Sequence, residues 1–288
     1  MKIVQILGGL GNQMFQYALA LVLKQKFGDD VLIDTTTFKT YPHHNGFELN
    51  RVFNISLKEA DKKQIISLYH RFTSCYNIVK FYKHIMPKKQ NEYREIEAEP
   101  FNENIFVDNG NNYYTGYWQD YRYFIDYSSV IKKEYTYKNL PIGKNKECFD
   151  LFKNNNFVSV HIRRGDYLST KGFGGICNTD YYQRAIEYVK GKMTDVKFAF
   201  FSNDIEYVNK EIVPLCKSNS IVVNWNRGND SYNDIRLMSA CKANILANSS
   251  FSWWSAFLNI HSSPLIVAPQ QWHSYQECKR QLPDWVLL

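Results

Sequence analysis

The feature that most constrains this chain is a strict alternation of short apolar runs and helical stretches through its second half. Strand-like runs at Phe157–Ile162, Lys197–Phe201, Ile221–Val223, Asn244–Ala247 and Pro264–Ala268 are separated by helical stretches at Asp180–Lys190, Glu206–Val213, Asp230–Cys241 and Phe251–Ile260. Parallel neighbours need a crossover long enough to hold a helix, so this rhythm predicts a parallel sheet covered on both faces. The first half opens in the same way. Lys2–Leu7 reads as a strand, Gly8-Gly9-Leu10-Gly11-Asn12 as a turn, and Gln13–Phe27 as a helix, on the recurrence of Phe15, Leu19, Val22 and Leu23. Val31–Ile33 follows as the next strand. Leu57–Met86 reads as helical, Ile105–Val107 and Tyr113–Tyr117 as strands, and Trp118–Phe124 as the start of another helix. The polar stretch from Tyr135 to Asn156, with Pro141 and Gly143, reads as a linker. The expectation is an α/β protein of two Rossmann-like domains, residues 1–145 and 155–288, facing across a cleft.

Composition narrows the function classes. The formal charge is +7, which raises nucleic acid as a partner, but the lysines read as scattered, with no run of five. An anionic small substrate, or loose attraction to an anionic membrane, accounts for the surplus more economically. Aromatic residues make up 16%, an excess that suits ring-shaped polar ligands and equally an A·T-rich genome. The six cysteines, at 75, 148, 177, 216, 241 and 278, form no close pairs, which fits free thiols in a reducing compartment rather than a zinc site or disulfide framework. Ala243–Gln276 contains no Asp, Glu, Lys or Arg, yet Asn, Ser, Pro and Gln interrupt it too often for a membrane span. With a strand directly at Met1, the expectation is a cytoplasmic protein, at most peripheral on the inner membrane.

Ligands of open parallel sheets bind beyond the carboxyl ends of the strands. Three polar clusters stand there. After Val158-Ser159-Val160 comes His161-Ile162-Arg163-Arg164-Gly165-Asp166-Tyr167. Two adjacent arginines suit a diphosphate, because guanidinium forks pair bidentately with phosphate oxygens; alternatively, one of them pairs with Asp166 and ties the loop down. After Phe201 comes Ser202-Asn203-Asp204, where the Asp204 carboxylate could accept the two donors of a guanine edge or simply cap the following helix. After Ala247 comes Asn248-Ser249-Ser250, a helix start offering N–H groups and hydroxyls to a phosphate, or a plain serine cap. Asp230 and Asp234 read as N-cap and first-turn residues without a function. Gly8–Gln13 lacks the spacing of a phosphate loop and reads as a tight turn letting backbone approach a ligand.

These residues carry a resemblance. His161–Tyr167, with Gly9-Leu10-Gly11-Asn12-Gln13-Met14-Phe15-Gln16-Tyr17-Ala18 upstream and Phe201–Asp204 and Asn248-Ser249-Ser250-Phe251-Ser252-Trp253-Trp254 downstream, closely resembles the bacterial α-1,2-fucosyltransferases of glycosyltransferase family eleven. The match runs in order from residue 3 to about 269. It implies a GT-B fold, GDP-β-L-fucose as a co-substrate, no cofactor or metal, and inversion onto the 2-hydroxyl of a galactose-containing glycan or glycolipid. Carried over, Arg163 holds the β-phosphate and Arg164 the loop or phosphate. His161 and Asp204 line the guanosine site, Ser249, Ser250 and Phe251 the pyrophosphate, and Asn203 and Asn248 are further donor-binding residues. Gly11, Asn12 and Gln13 face the fucose from the acceptor-side domain. Residues 40–100 match no motif, and acceptor choice is expected there.

Transfer builds negative charge on the leaving GDP, which fixed cations and N–H dipoles must stabilise if no metal does. Arg163, His161 and Asp166 are the catalytic candidates. Asp166 is the candidate base, although a late proton loss to the phosphate would need none. The alternatives are another fucosyl linkage or a non-catalytic glycan- or nucleotide-binding protein; a glycoside hydrolase would need two opposed carboxylates.

Overall fold

In the computed structural model, described for all residues except 42, 70–72, 74, 76, 79–80, 82–84, 88, 96–100, 171 and 274–279, the chain divides into two compact units, Met1–Asn139 and Leu140–Leu288. The first is built on a sheet ordered β3-β2-β1-β5-β4, with β1 Lys2–Gln5, β2 Val31–Asp34, β3 Lys58–Glu59, β4 Glu92–Arg94 and β5 Asn112–Thr115. Every pairing in it is parallel. The helix Leu10–Phe27 follows β1, and nearly every residue from Leu10 to Leu23 is buried, so it is covered on all sides rather than along one stripe.

The second unit carries β6 Phe157–Ile162, β7 Lys197–Ser202, β8 Ser220–Val223, β9 Ala243–Ile245, β10 Leu265–Ala268 and β11 Val286–Leu287. Their order is β11-β10-β9-β6-β7-β8, again parallel throughout. All six residues of β6 are buried, as a central strand covered on both faces must be. One face packs Val158, Val160 and Ile162 on Tyr181, Tyr182, Ala185 and Ile186 of the helix Thr179–Lys192. The chain leaves β6 toward β7 and β8, then returns to lay β9 on the other side. The gap between the carboxyl ends of β6 and β9 is thus the topological switch point, where open α/β sheets bind ligands.

Several expectations need correction. The stretch expected to be a linker contains the helix Gly143–Asn154, whose Cys148 and Phe152 pack into the second unit's core. Its polar residues are the solvent face of an amphipathic helix, not a spacer. Ile105–Val107 is no strand: Glu103–Phe106 is a 3-10 turn capped by the Asn102 side chain. Trp118–Phe124 forms only a 3-10 turn, Tyr121–Tyr123, before the helix Ser128–Glu134. The helix expected over Glu206–Val213 widens to a π turn at Val208–Ile212, just ahead of Pro214, which has no N–H to give to an α-helical ladder. The expected Leu57–Met86 helix is realised at Lys62–Leu68, and much of its remainder lies outside the described residues.

Candidate functional site

The three clusters of the second unit share one sheet edge, since β7, β6 and β9 are adjacent and parallel, with Ile162 opposite Ser202 and Val160 opposite Ile245. The turn after β6 is held by the turn after β7. The Asn203 side-chain oxygen accepts the Arg164 N–H at 3.0 Å. Gly165 adopts φ +56°, and a Cβ there would stand 2.6 Å from Asn203 Nδ2, so only glycine fits this corner. Arg164 lies between two groups: Nε donates to Asp204 Oδ2 at 3.0 Å, and its guanidinium carbon stands 3.6 Å from the centre of the Tyr207 ring. Asp204 also caps the next helix, accepting the Tyr207 N–H at 3.1 Å. Both alternatives the sequence left open for this cluster therefore take a particular form. Asp204 is a cap, and the arginine that ties the loop down pairs with Asp204.

Arg163 has a different setting. Its guanidinium lies 5.2 Å from the Tyr167 ring, which packs on Phe173, which in turn meets the His273 ring edge-on at 4.2 Å. Asp166 opens the short helix Asp166–Ser169; its side chain lies outside what the structure describes. His161 is buried on β6, and its Nδ1 has no hydrogen-bond partner. Burial, with the Arg163 charge adding to it, lowers its pKa to about 3, so the ring is neutral near pH 7.

Beyond β9, Ser249 caps the helix Ser250–Phe257 by accepting the Phe251 N–H at 3.3 Å. Phe251 reaches across to β6, its ring centre 5.8 Å from that of His161. The polar edge after β9 thus meets the polar edge after β6 at the switch point. Asn248 does something the sequence did not suggest. Its amide nitrogen donates to the Phe173 and Trp272 carbonyls at 3.2 and 3.1 Å, while its oxygen accepts from the Cys177 thiol. The side chain is buried and committed to protein, so it positions the edge rather than reaching a ligand.

Sequence reasoning passed over Asp234. Burial pushes its carboxyl up to about 7, against the pull of the Asn226 amide at 2.7 Å and the Arg227 charge. Asn226 in turn exchanges hydrogen bonds with Asn145, which accepts the Trp225 indole N–H. This network follows β8, on the same carboxyl edge as the arginines. The signal was the run Trp225-Asn226-Arg227 at a strand end, overlooked because Asp234 alone explains itself as a first-turn acid.

The first unit's motif is built otherwise. Gly11, Asn12 and Gln13 are not in a loop: the helix starts at Leu10, capped from outside by the Glu48 carboxylate, which accepts the Leu10 N–H. The Gln13 amide is fully buried, donating to Gly8 and Gly46 carbonyls at 2.8 Å each and accepting the Glu48 N–H at 2.9 Å. Asn12 accepts from Gln119 at 2.7 Å, and Gln16 ties Leu7 N–H to the Gly116 carbonyl. The turn after β1 is thereby stitched to the turn after β5, the switch point of this sheet. Gly8 adopts φ +87°, and a Cβ added at Gly8 or Gly9 would meet Asn12 Nδ2 at 2.9 Å or the His44 ring at 3.2 Å, so this turn is tightly packed.

Two parallel α/β units, one of them carrying arginines and a helix start at its switch point, have the architecture of the GT-B type. The chain belongs to glycosyltransferase family 11: the model described as Glycosyl transferase family 11 matches residues 1–288. It is 33% identical to an Escherichia coli alpha-1,2-colitosyltransferase over 96% of this chain and 93% of that protein. It is 26% identical to the galactoside alpha-(1,2)-fucosyltransferase 1 of Mus musculus, over 87% of this chain and 61% of that protein. Among solved structures, NodZ alpha-1,6-fucosyltransferase soaked with GDP-fucose shares the fold at a TM-score of 0.54 and 14% identity, covering 92% of this chain and 93% of its own.

Proposed function

We propose that this chain transfers L-fucose from GDP-β-L-fucose to the 2-hydroxyl of a galactose-type acceptor, with inversion and without a metal. The observation that carries the reading is the meeting of two strand ends at one switch point: Arg163 and Arg164 after β6, and the Ser250–Phe257 helix start after β9, bridged by the His161–Phe251 contact. Membership of family 11, and likeness to a galactoside α-(1,2)-fucosyltransferase, support the sugar and the linkage.

In this reaction the bond between fucose C1 and the β-phosphate oxygen breaks, a bond from C1 to the acceptor O2 forms, and the acceptor hydroxyl loses its proton. The leaving diphosphate gathers charge as the sugar becomes oxocarbenium-like. In this scheme Arg163 and the N–H groups opening the Ser250 helix meet that charge, and Arg164 is held by Asp204 and Tyr207. His161 is too weak a base, with its pKa near 3, to take the acceptor proton. Its place is as a neutral hydrogen-bonding group on the nucleotide side. Asp166 remains the base of this scheme, standing one residue beyond the Gly165 corner.

A second reading rests on one observation, the 33% identity to a colitosyltransferase. Colitose is fucose without its 3-hydroxyl, so the two readings differ only in whether the site hydrogen-bonds that group. The test is GDP release with GDP-fucose and with GDP-colitose on lactose and other galactosides, and linkage of the product read by NMR. Fucose appearing on O2 with EDTA present supports the proposal. Preference for GDP-colitose would transfer it to the second reading, and activity lost in EDTA and restored by manganese would end the metal-free mechanism.

A further inference from the structure

The first unit holds a cavity of about 680 Å³ that the proposed reaction does not use. It lies toward the far end of the helix Leu10–Phe27 from the switch-point edge. That helix starts on the edge and reaches the cavity with Val22 and Lys26, roughly 18–24 Å along at the rise of an α-helix. The volume is in the range of small-molecule sites.

Three rings form its floor. Phe101, Phe106 and Tyr123 stand with their centres between 4.8 and 6.3 Å apart. Phe101 and Phe106 are half-buried, while Tyr123 is buried and its hydroxyl accepts the Asn102 N–H at 3.1 Å. The Asn102 side chain in turn caps the turn Glu103–Phe106, so Tyr123 pins the segment that carries the other two rings. The cations of the wall are held as well. Asp120 grips the Arg122 guanidinium at two points, 2.9 and 2.6 Å, and sets it 4.8 Å from the centre of the Phe101 ring. Lys26 Nζ lies 5.2 Å from the centre of the Phe106 ring. Glu103 and Asp126 complete the rim; both are exposed, and neither is hydrogen-bonded or ion-paired through its carboxylate among the described residues.

The rim therefore carries Lys26 and Arg122 against Glu103 and Asp126, with no excess charge to offer an ion. A phosphate would meet two uncommitted carboxylates, and the guanidinium fork it would use is taken by Asp120. An organic cation would meet Lys26 and Arg122. A wholly apolar ligand would desolvate four charged groups without bonding any of them. The wall fits a neutral ligand with apolar faces and many hydroxyls. The C–H faces of pyranose rings lie on aromatic rings, carboxylates accept from sugar hydroxyls, and the cations donate to sugar oxygens. We propose that this cavity is a second carbohydrate-binding site, which holds part of an oligosaccharide remote from the sugar that reacts. The inference rests on the proposed function only in taking a galactose-type oligosaccharide as the glycan.

The experiment applies two assays to the full chain. Isothermal titration without donor reads binding of a galactose-terminated hexasaccharide, and GDP release reads KM for that hexasaccharide and for lactose, which is too short to reach both places. Phe106→Ala is expected to weaken hexasaccharide binding by about tenfold and to raise its KM alike, with kcat and the KM for lactose unchanged. Glu103→Gln with Asp126→Asn is expected to act in the same direction by several-fold, through weaker acceptors at exposed positions. That double variant is expected to melt like the wild type, which keeps the test decisive if Phe106→Ala loses stability. A wild type that binds no hexasaccharide, or a double variant that binds it equally well, would overturn the proposal. So would a KM for lactose that rises as far as that for the hexasaccharide, or a cavity occupied by inorganic phosphate in place of the sugar. Hexasaccharide held through Phe106 by a chain that transfers no fucose would sustain the site and end the proposed function.

Discussion

The carboxyl edges of the two sheets are made of different chemistry. In the second unit the edge holds cations and hydroxyls, and one of its acids is used to hold a cation: Asp204 grips Arg164, with Tyr207 against the guanidinium. In the first unit the edge is sewn together by neutral amides, Gln13, Gln16 and the Asn12–Gln119 pair. Its acids turn inward onto N–H groups, Glu48 onto Leu10 and Glu95 onto Tyr117 and Trp118 at 2.6 and 2.7 Å. On the proposed function the fixed charge of one edge serves the departing diphosphate, while the other edge spends its polar groups on holding backbone in shape. The two motifs are equally conspicuous in the sequence, yet substitutions in them should fail in different ways.

The largest effect is expected at Arg163. Removing one pre-aimed donor from a developing anion typically costs a hundred- to a thousandfold, roughly 3–4 kcal/mol, so Arg163→Ala should abolish measurable GDP release while leaving the melting temperature within a degree or two. Near-normal turnover would remove the charged edge from the reaction altogether. Gln13→Ala should behave inversely. It strands the buried Glu48 N–H and two carbonyls, which costs on the order of 2–3 kcal/mol of folding stability. A chemical-denaturation midpoint unchanged by that substitution, with activity gone, would mean that Gln13 serves a ligand instead. Gly165→Ala should be milder, about 1–2 kcal/mol of backbone strain at φ +56°, seen as a several-fold rise in KM for the donor. The comparison would blur if KM stayed put and only stability fell.

A further expected effect is on pH dependence, and it has two opposing parts. The folded-state pKa of His161, about 3, lies below its ordinary 6.5, so its contribution is present above 6.5 and is lost as pH falls toward 3. The folded-state pKa of Asp234, about 7, lies above its ordinary 3.8, so its contribution is present below 3.8 and is lost as pH rises through 7. Asp234→Asn should therefore gain melting temperature relative to the wild type between pH 5 and pH 8. A constant offset across that range would show that the carboxyl does not titrate in the folded protein.

Legibility followed the number of constraints on each element. β6 is legible to the residue, because its run is mainly apolar, with Ser159 and His161 the polar exceptions, and stops where the arginines begin. The three strand-end clusters were brought onto one edge because parallel alternation leaves no other arrangement. The start of the first helix was misplaced by three residues, since its cap comes from Glu48, which is distant in sequence, and not from a local Ser or Asp. Tyr135–Asn156 reads as a linker because Cys148 and Phe152 are the only buried residues of its helix Gly143–Asn154, too thin a stripe to see. The pairing of Arg164 with Asp204 could not be read, because only the register between β6 and β7 brings residues forty apart together. The lysines look scattered until the acids are counted alongside them: residues 62–91 hold seven Lys and Arg and no Asp or Glu.

Asn248 carries a lesson for how this edge should be mapped. One amide joins the end of β9 to two separate stretches of chain, at Phe173 and at Trp272, so trimming it slackens three segments together. A mutational survey scored by product yield alone would rank it beside Arg163 and infer contact with the nucleotide. Only a parallel unfolding curve would separate the keystone from the hand that grips the cargo.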